Sequence, residues 1–388
     1  MSAGLPLVES DLRARLSCVP ADAPDRAVQI VSLILADAVE RAASDVHFEP
    51  TPAGLDVRYR IDGVLHAAAR LTSDLTPNLV ARLKVLSDLL TYRTDIPQEG
   101  AVRPGSVPGR ADLRVSTFPT VHGEKAVVRI FDAAAELLEL DQLGLTPPLR
   151  ANLDRLLRER SGAILLTGPS GSGKTTTIYA CLRRIVQFGG GRHIVTIEDP
   201  VERWIPGISQ SQVRPGTPFD FARGLRSLLR QDPDVILIGE IRDPETARAA
   251  TEAALTGHLV FSTVHAGSAC GVLGRLLEMG VEPYVITSGV CAILNQRLLR
   301  RICAACGGRA DACAACRGAG FRGRILVAEL LTLSAPLRRA ILAKSDVETL
   351  ERVAAEGDWQ PIRAAADEAA AAGLTTRDEI ERVLGPER

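Results

Sequence analysis

The chain has 388 residues, with 46 Lys and Arg against 47 Asp and Glu, so its formal net charge is −1. That balance argues against a nucleic-acid-coating protein or an acidic disordered tail, and with only 4% aromatic residues it offers a nucleic-acid translocase neither a basic groove nor a stacking platform. At 46% hydrophobic and 24% charged residues the composition is that of a globular protein, and about 150 residues per domain implies two or three domains.

Residues 1–24 carry Pro6, Pro20 and Pro24 with little periodicity and are expected to form a flexible N-terminal arm. From Ala27 the apolar residues Ile30, Val31, Ile34, Leu35 and Ala38 fall at helical spacing. Gln29, Ser32 and Asp37 break this stretch, so it is neither a signal core nor a spanning helix, and the chain is expected to stay in the cytosol. Leu55, Val57, Tyr59 and Ile61 alternate with Asp56, Arg58 and Arg60, a strand ending at Asp62-Gly63. Leu113, Val115 and Thr117 alternate likewise and put Arg114 on the polar face. Paired arginines on one face call for an anionic partner if that face is covered, a solvated face being the competing reading. These elements outline an α/β domain over 25–132.

An acidic, helical connection follows, with a linker expected over 133–146, and Pro147-Pro148 opens a new helix. Beyond it the apolar runs 163–167, 194–197, 235–238 and 259–263 alternate with helical segments, the pattern of a parallel sheet covered on both faces. This second domain is expected over 147–388, with small alanine-rich helices over 330–388.

Gly168-Pro169-Ser170-Gly171-Ser172-Gly173-Lys174-Thr175 fits the phosphate-binding pattern GxxxxGK[ST], directly after an apolar run and followed by Thr176. Its backbone amides suit an ATP phosphate, Lys174 the β- and γ-phosphates, and Thr175 a magnesium ion. Lysine occurs at only four positions, 84, 125, 174 and 344, which makes a chance match rarer. Glu198 and Glu240 end two of the apolar runs, where open α/β sheets place their ligands. The two can divide magnesium binding and water orientation, and the sequence leaves the assignment open. His258 and His265 bracket the run 259–263; a histidine at the carboxyl end is placed to sense the γ-phosphate, with a core or surface histidine as the alternative.

Cys303-x2-Cys306 and Cys313-x2-Cys316 fall six residues apart, a spacing suited to a tetrahedral four-thiolate zinc site within an insert over 301–325. With all four ligands supplied by protein, the ion is expected to be structural, a redox dithiol or iron–sulfur site being the alternative. Cys18, Cys181, Cys270 and Cys291 are expected to be buried thiols.

The order of these motifs resembles the ATPases of type II secretion and type IV pilus assembly. The resemblance runs from Ala43-Ser-Asp-Val-His-Phe-Glu-Pro50 through Arg58-Tyr-Arg-Ile-Asp-Gly63, Pro97-Gln-Glu-Gly100, Asp112-Leu-Arg-Val-Ser-Thr117 and His122-Gly-Glu124 to about Leu331. It takes in the phosphate loop, an aspartate box at Glu198–Glu202, a Walker B segment ending at Gly239-Glu240, and a histidine box at His265. It implies a homo-hexameric ring of RecA-like ATPase domains, each with a smaller PAS-like N-terminal domain, using ATP and Mg2+ and carrying Zn2+. It further implies Glu198 as the water-activating carboxylate, Glu240 on the magnesium side, and Arg58, Arg60 and Arg114 reaching the phosphates. An inner-membrane platform protein is the implied partner, with peripheral membrane association and no direct contact with nucleic acid. A pilus-retraction or DNA-uptake motor is the alternative within the same class, although retraction members typically lack the tetracysteine element; a non-hydrolysing nucleotide-binding scaffold is a further alternative, which an ATPase assay separates. Family members commonly carry a further N-terminal domain, so docking through the short segment here is expected to be different or delegated.

Overall fold

The computed structural model describes residues 9–102, 112–131, 137–213, 217, 219–309 and 313–387. The chain divides into two units, residues 1–136 with 302–323 and residues 137–301 with 324–388. The tetracysteine segment, expected within the second domain, thus falls in the first unit.

The first unit opens with α1 (Glu9–Ser17), inside the stretch expected as a loose arm. Leu12 is fully buried and Leu16 packs on the same core one turn later, which gives the helix an anchor that proline content alone does not reveal. Then come α2 (Arg26–Glu40), β1 (Asp45–Thr51), β2 (Gly54–Ile61), β3 (Val64–Leu71), α3 (Thr76–Leu86), β4 (Gln98–Ala101), β5 (Asp112–Thr120) and β6 (Gly123–Phe131). The strands form one sheet in the order β3-β2-β1-β6-β5-β4. Val46, Phe48, Leu55, Val57, Tyr59, Leu113, Val115 and Val128 point into a core with Ile34 and Leu35 of α2 and Leu79 and Leu83 of α3. Each such side chain withdrawn from water contributes roughly 1.5–3 kcal/mol. Asp62 and Gly63 both take positive φ, 48° and 83°, the primed turn that matches the twist of a hairpin and that Asp-Gly favours. Of the connection expected to be helical from Ala133, residues 133–136 lie outside the described residues, and a single 3-10 turn, Leu140–Gln142, follows.

The second unit contains α4 (Pro147–Leu156), β7 (Gly162–Thr167), α5 (Lys174–Gln187), β8 (Ile194–Glu198), β9 (Ser209–Gln212), α6 (Phe221–Leu228), β10 (Val235–Ile241), α7 (Pro244–Leu255), β11 (Leu259–Val264), α8 (Ala269–Glu278), α9 (Pro283–Gly289), β12 (Val290–Ile302), β13 (Phe321–Thr332), α10 (Ala335–Leu342), α11 (Val347–Ala355), α12 (Ile362–Ala371) and α13 (Arg377–Leu384). The sheet order is β13-β12-β7-β11-β10-β8-β9, and the pairs from β12 through β9 are parallel. Alternate residues of each central strand enter different cores: Ala163, Leu165, Ile236, Ile238 and Val260 pack with α7 and α8, whereas Ile164, Leu166, Leu237 and Phe261 pack with α5. Both faces are therefore covered, and these runs lack polar alternation because neither side meets water. Among the described residues no helix is long and apolar enough to cross a membrane.

Candidate nucleotide site and metal centre

All six residues of β7 are buried, and the strand delivers the phosphate loop at its carboxyl end. Gly168, Gly171 and Gly173 take φ of +145°, +75° and +87°, and Gly173 is the N-cap of α5. A Cβ on Gly168 would lie 2.5 Å from the carbonyl oxygen of Gln296 and 2.7 Å from Ser172 Oγ, so only glycine lets the loop lie this close to β12. The amides at the start of α5 and its dipole suit a phosphate. Lys174 Nζ donates to the carbonyls of Gly168 (2.7 Å) and Pro169 (2.9 Å) and so lies across the loop. Burial lowers the Lys174 pKa and nearby Arg297 lowers it further, while Glu240 opposes them. A loop of this shape with a half-buried ammonium group fits the triphosphate of ATP. Thr175 and Thr176 occupy the exposed first turn of α5, within reach of whatever the loop holds.

Glu240 stands in β10 where the pairing with β11 shifts register between Ile238 and Ile241. Thr263 Oγ1 donates to the Gly239 carbonyl at 2.8 Å and fixes the two strand ends together. Glu240 then meets Arg242 at 2.5 Å and His265 Nε2 at 3.5 Å, its side chain 13% exposed. Glu198 ends β8 and is buried; its carboxylate accepts from Tyr179 Oη, from Thr196 Oγ1 at 2.6 Å and from Gln210 Nε2 at 3.2 Å. Three donors hold it in one orientation. Burial, with the Glu198 contact second, raises the Tyr179 phenol pKa, so the tyrosine stays a donor.

The second unit thus brings the phosphate loop, Glu240 and His265 together at the carboxyl ends of adjacent strands, with Glu198 at the same end of β8, which β11 and β10 separate from β7. It does not bring His258 there. That residue precedes β11 at the opposite end, about 20 Å along a six-residue strand, with Nδ1 3.0 Å from the Ala253 carbonyl. Arg58, Arg60 and Arg114 belong to the first unit. There Arg58 faces Glu49 at 3.4 Å and Asp56 at 3.5 Å, Arg60 faces Asp45 at 3.7 Å, and the Arg114 guanidinium sits 5.3 Å from the centre of the Phe131 ring.

Sequence reading missed Tyr179, Gln210 and Arg297. Arg297 Nη1 donates to Asn295 Oδ1 (2.6 Å) and the Gln296 carbonyl (2.9 Å), and Nη2 to the Gly267 carbonyl (3.1 Å). The only advance signal for such a residue would have been a polar interruption in an otherwise apolar strand.

Four Sγ atoms, from Cys303, Cys306, Cys313 and Cys316, all lie within 4.8 Å of one another, and those of Cys306 and Cys316 are 3.7 Å apart. A tetrahedral ion with 2.3 Å metal–sulfur bonds sets its sulfurs about 3.8 Å apart, so the donor set fits. The Cys316 backbone N–H is the main cause that lowers the Cys313 thiol to about 7, whereas burial first, with the Cys316 contact second, pushes the Cys306 thiol up to about 12, so the fit to a metal rests on the placement of the four sulfurs. Of the remaining cysteines, Cys181 and Cys270 are buried as expected and Cys291 is half-buried, but Cys18 is exposed, its Sγ donating to the Ala14 carbonyl at 3.3 Å.

A family model described as type II/IV secretion system protein matches residues 22–382. The type II secretion system protein HxcR of Pseudomonas aeruginosa is 41% identical over 362 residues, 92% of this chain and 77% of that protein. The type II secretion system ATPase E of Vibrio cholerae is 39% identical over 386 residues, 93% of this chain and 76% of its own. Among solved structures, the pilus retraction motor PilT with bound ADP aligns at a TM-score of 0.63 and 30% identity, covering 92% of this chain and 97% of that one. The ATPase DotB of Legionella pneumophila shares the fold at a TM-score of 0.69 and 21% identity over 94% of this chain and 98% of that one. With the phosphate loop and its carboxylates in place, these matches establish that the chain belongs to the type II/IV secretion system protein family and is one of its phosphate-loop ATPases.

Proposed function

We propose that the chain is the hexameric motor of a type II secretion or pilus-assembly system, hydrolysing ATP to drive a platform protein in the inner membrane, with which it associates peripherally. The observation that carries this reading is the convergence of the phosphate loop, Glu240 and His265 at the carboxyl end of one parallel sheet. The secretion names of the relatives support the cargo side of the reading, and the tetracysteine cluster favours assembly or secretion over retraction. In this reading residues 25–132 form a PAS-like domain, 133–146 a linker, and 147–388 the ATPase domain apart from the tetracysteine segment 302–323, which groups with the first unit.

The loop amides of 168–173 bind the phosphates and Lys174 neutralises their β and γ charge. Thr175 and Glu240 would hold magnesium, which supplies charge neutralisation when bound. Glu198, fixed by its three donors, orients the attacking water and accepts its proton. His265 contacts Glu240 and reports the state of the γ-phosphate to the loop that follows it. Arg58, Arg60 and Arg114 supply positive charge to the transferring phosphoryl group when the first domain closes over the nucleotide. The four cysteines hold a structural zinc ion.

ATP turnover by the full chain, titrated with magnesium, tests the assignment. Glu198→Gln should bind nucleotide and magnesium but hydrolyse slowly, and Glu240→Gln should shift the magnesium dependence. The reverse pattern would exchange the two roles, and normal hydrolysis in both would refute the site.

A further inference from the structure

The loop between β11 and α8, residues 265–268, begins at His265, and its following residues are fastened to four separate parts of the second unit. Thr167 Oγ1, immediately before the phosphate loop, donates to the Ala266 carbonyl at 2.9 Å and accepts from the Ala266 N–H at 3.1 Å. Arg297 of β12 takes the Gly267 carbonyl. Ser268 Oγ donates to Glu351 Oε1 of α11 at 2.7 Å while accepting from the Gly271 N–H as the N-cap of α8. The Ala269 N–H donates to Glu329 Oε1 of β13 at 3.1 Å.

Glu329 is the hub of this arrangement. It is 4% exposed, and its Oε1 also accepts from Asn295 Nδ2 at 2.8 Å, while Oε2 accepts from the Ile362 N–H that starts α12 at 2.6 Å. Asn295 in turn holds Arg297. Burial raises the Glu329 carboxyl pKa and the three donors oppose that rise. A carboxylate so deeply placed is unfavourable unless its lone pairs are satisfied, and here they are taken up by the amides that start α8 and α12 and by Asn295. Glu329 thereby fixes the end of the His265 loop against the start of α12.

We infer that Glu351 and Glu329 are positioning residues for ATP hydrolysis, which act through the His265 loop and join it to the C-terminal helices α11 and α12. The inference rests on the role given to His265 beside Glu240. It makes turnover depend on helices more than 170 residues beyond the phosphate loop in sequence, and it leaves nucleotide affinity to the loop amides and Lys174. A lost hydrogen bond to a charged group, or a displacement of about 1 Å near the reacting atoms, reduces rate by roughly ten- to a hundredfold.

The test uses the full chain and measures kcat and KM for ATP with the thermal midpoint. Glu351→Ala should lower kcat roughly tenfold with KM within about twofold, and Glu351→Gln, which still offers Ser268 Oγ an acceptor, should restore most of the loss. Because both act through one loop, His265→Ala combined with Glu351→Ala should lose no more than the worse single variant. Glu329→Gln, with one acceptor oxygen in place of two, should speed amide exchange at Ile362 or Ala269. An unchanged kcat in Glu351→Ala, equal losses in the Ala and Gln variants, multiplying losses in the double variant, or unaltered exchange in Glu329→Gln would each overturn the inference. Full activity in His265→Ala, or no hydrolysis by the wild-type chain, would instead overturn the function proposed for the site, and the inference with it.

Discussion

Replacing Glu379 by Gln isolates one buried charge whose worth can be worked from its partners. Glu379 lies in the first turn of α13 and is 1% exposed. Its carboxylate accepts from the Arg300 backbone N–H (3.0 Å), Arg300 Nε (2.9 Å) and Nη2 (2.7 Å), and Arg382 Nε (2.7 Å) and Nη2 (2.6 Å). Burial alone would raise its pKa, but the bonds from Arg382 and Arg300 outweigh burial and bring it from 4.5 to about 2. A drop of that size corresponds to at most about 3.4 kcal/mol at roughly 1.36 kcal/mol per unit. Arg382 is 41% exposed and Arg300 19%, so solvent screens part of this, leaving about 2 kcal/mol. Because the folded pKa is the lower one, the contribution is fully present above the unfolded value near 4.5 and is lost as pH falls toward 2. Chemical unfolding of the wild type and Glu379→Gln across pH 7 to 2.5 should show a gap of about 2 kcal/mol at neutrality that narrows below pH 4.5. A gap independent of pH would refute the electrostatic account and leave only the lost geometry of the fork.

Lys174→Ala removes the ammonium lying across the phosphate loop and should reduce turnover by a factor of roughly 10² or more, read by phosphate release. Gly168→Ala drives a Cβ to 2.5 Å from the Gln296 carbonyl at a φ of +145°, so nucleotide binding measured by calorimetry should be lost. Cys316→Ser removes one of four clustered thiols; elemental analysis should then find less than one zinc per chain, against one in the wild type, with some ATPase activity kept.

The phosphate loop and the cysteine quartet were legible because each is a short-range pattern: one strand-to-helix turn in the first case, two knuckles in the second. The central strands 162–167, 194–198, 235–241 and 259–264 were legible because burial on both faces leaves continuous apolar runs. β12 and β13 were not. Asn295, Gln296 and Arg297 interrupt β12, yet the first two are buried, because they meet Glu329 and the phosphate loop rather than water. β9 reads Ser-Gln-Ser-Gln and has no apolar pattern at all. Its Gln210 nonetheless reaches Glu198, twelve residues away in sequence. The fasteners of the His265 loop were hidden for the same reason, Thr167 lying 99 and Glu351 83 residues from the groups they hold. Such pairings are set by topology, and local spacing carries no trace of them.

The tetracysteine segment 302–323 completes the first unit, with the Gly323 N–H donating to Asp62 Oδ2 at 2.9 Å and Arg317 Nη2 3.3 Å from Glu40 Oε1. These contacts close over 261 and 277 residues. At about 5–20 residues per second, a ribosome takes roughly 13 to 50 s to travel from Asp62 to Gly323. During that interval the six-stranded sheet must persist on its own core while most of the second unit is made. The second unit then waits for β13 and the last four helices. The first unit therefore closes once residue 323 is made and the second only with the helices that follow β13, so a nascent chain stalled before residue 323 would lack the closing piece of each.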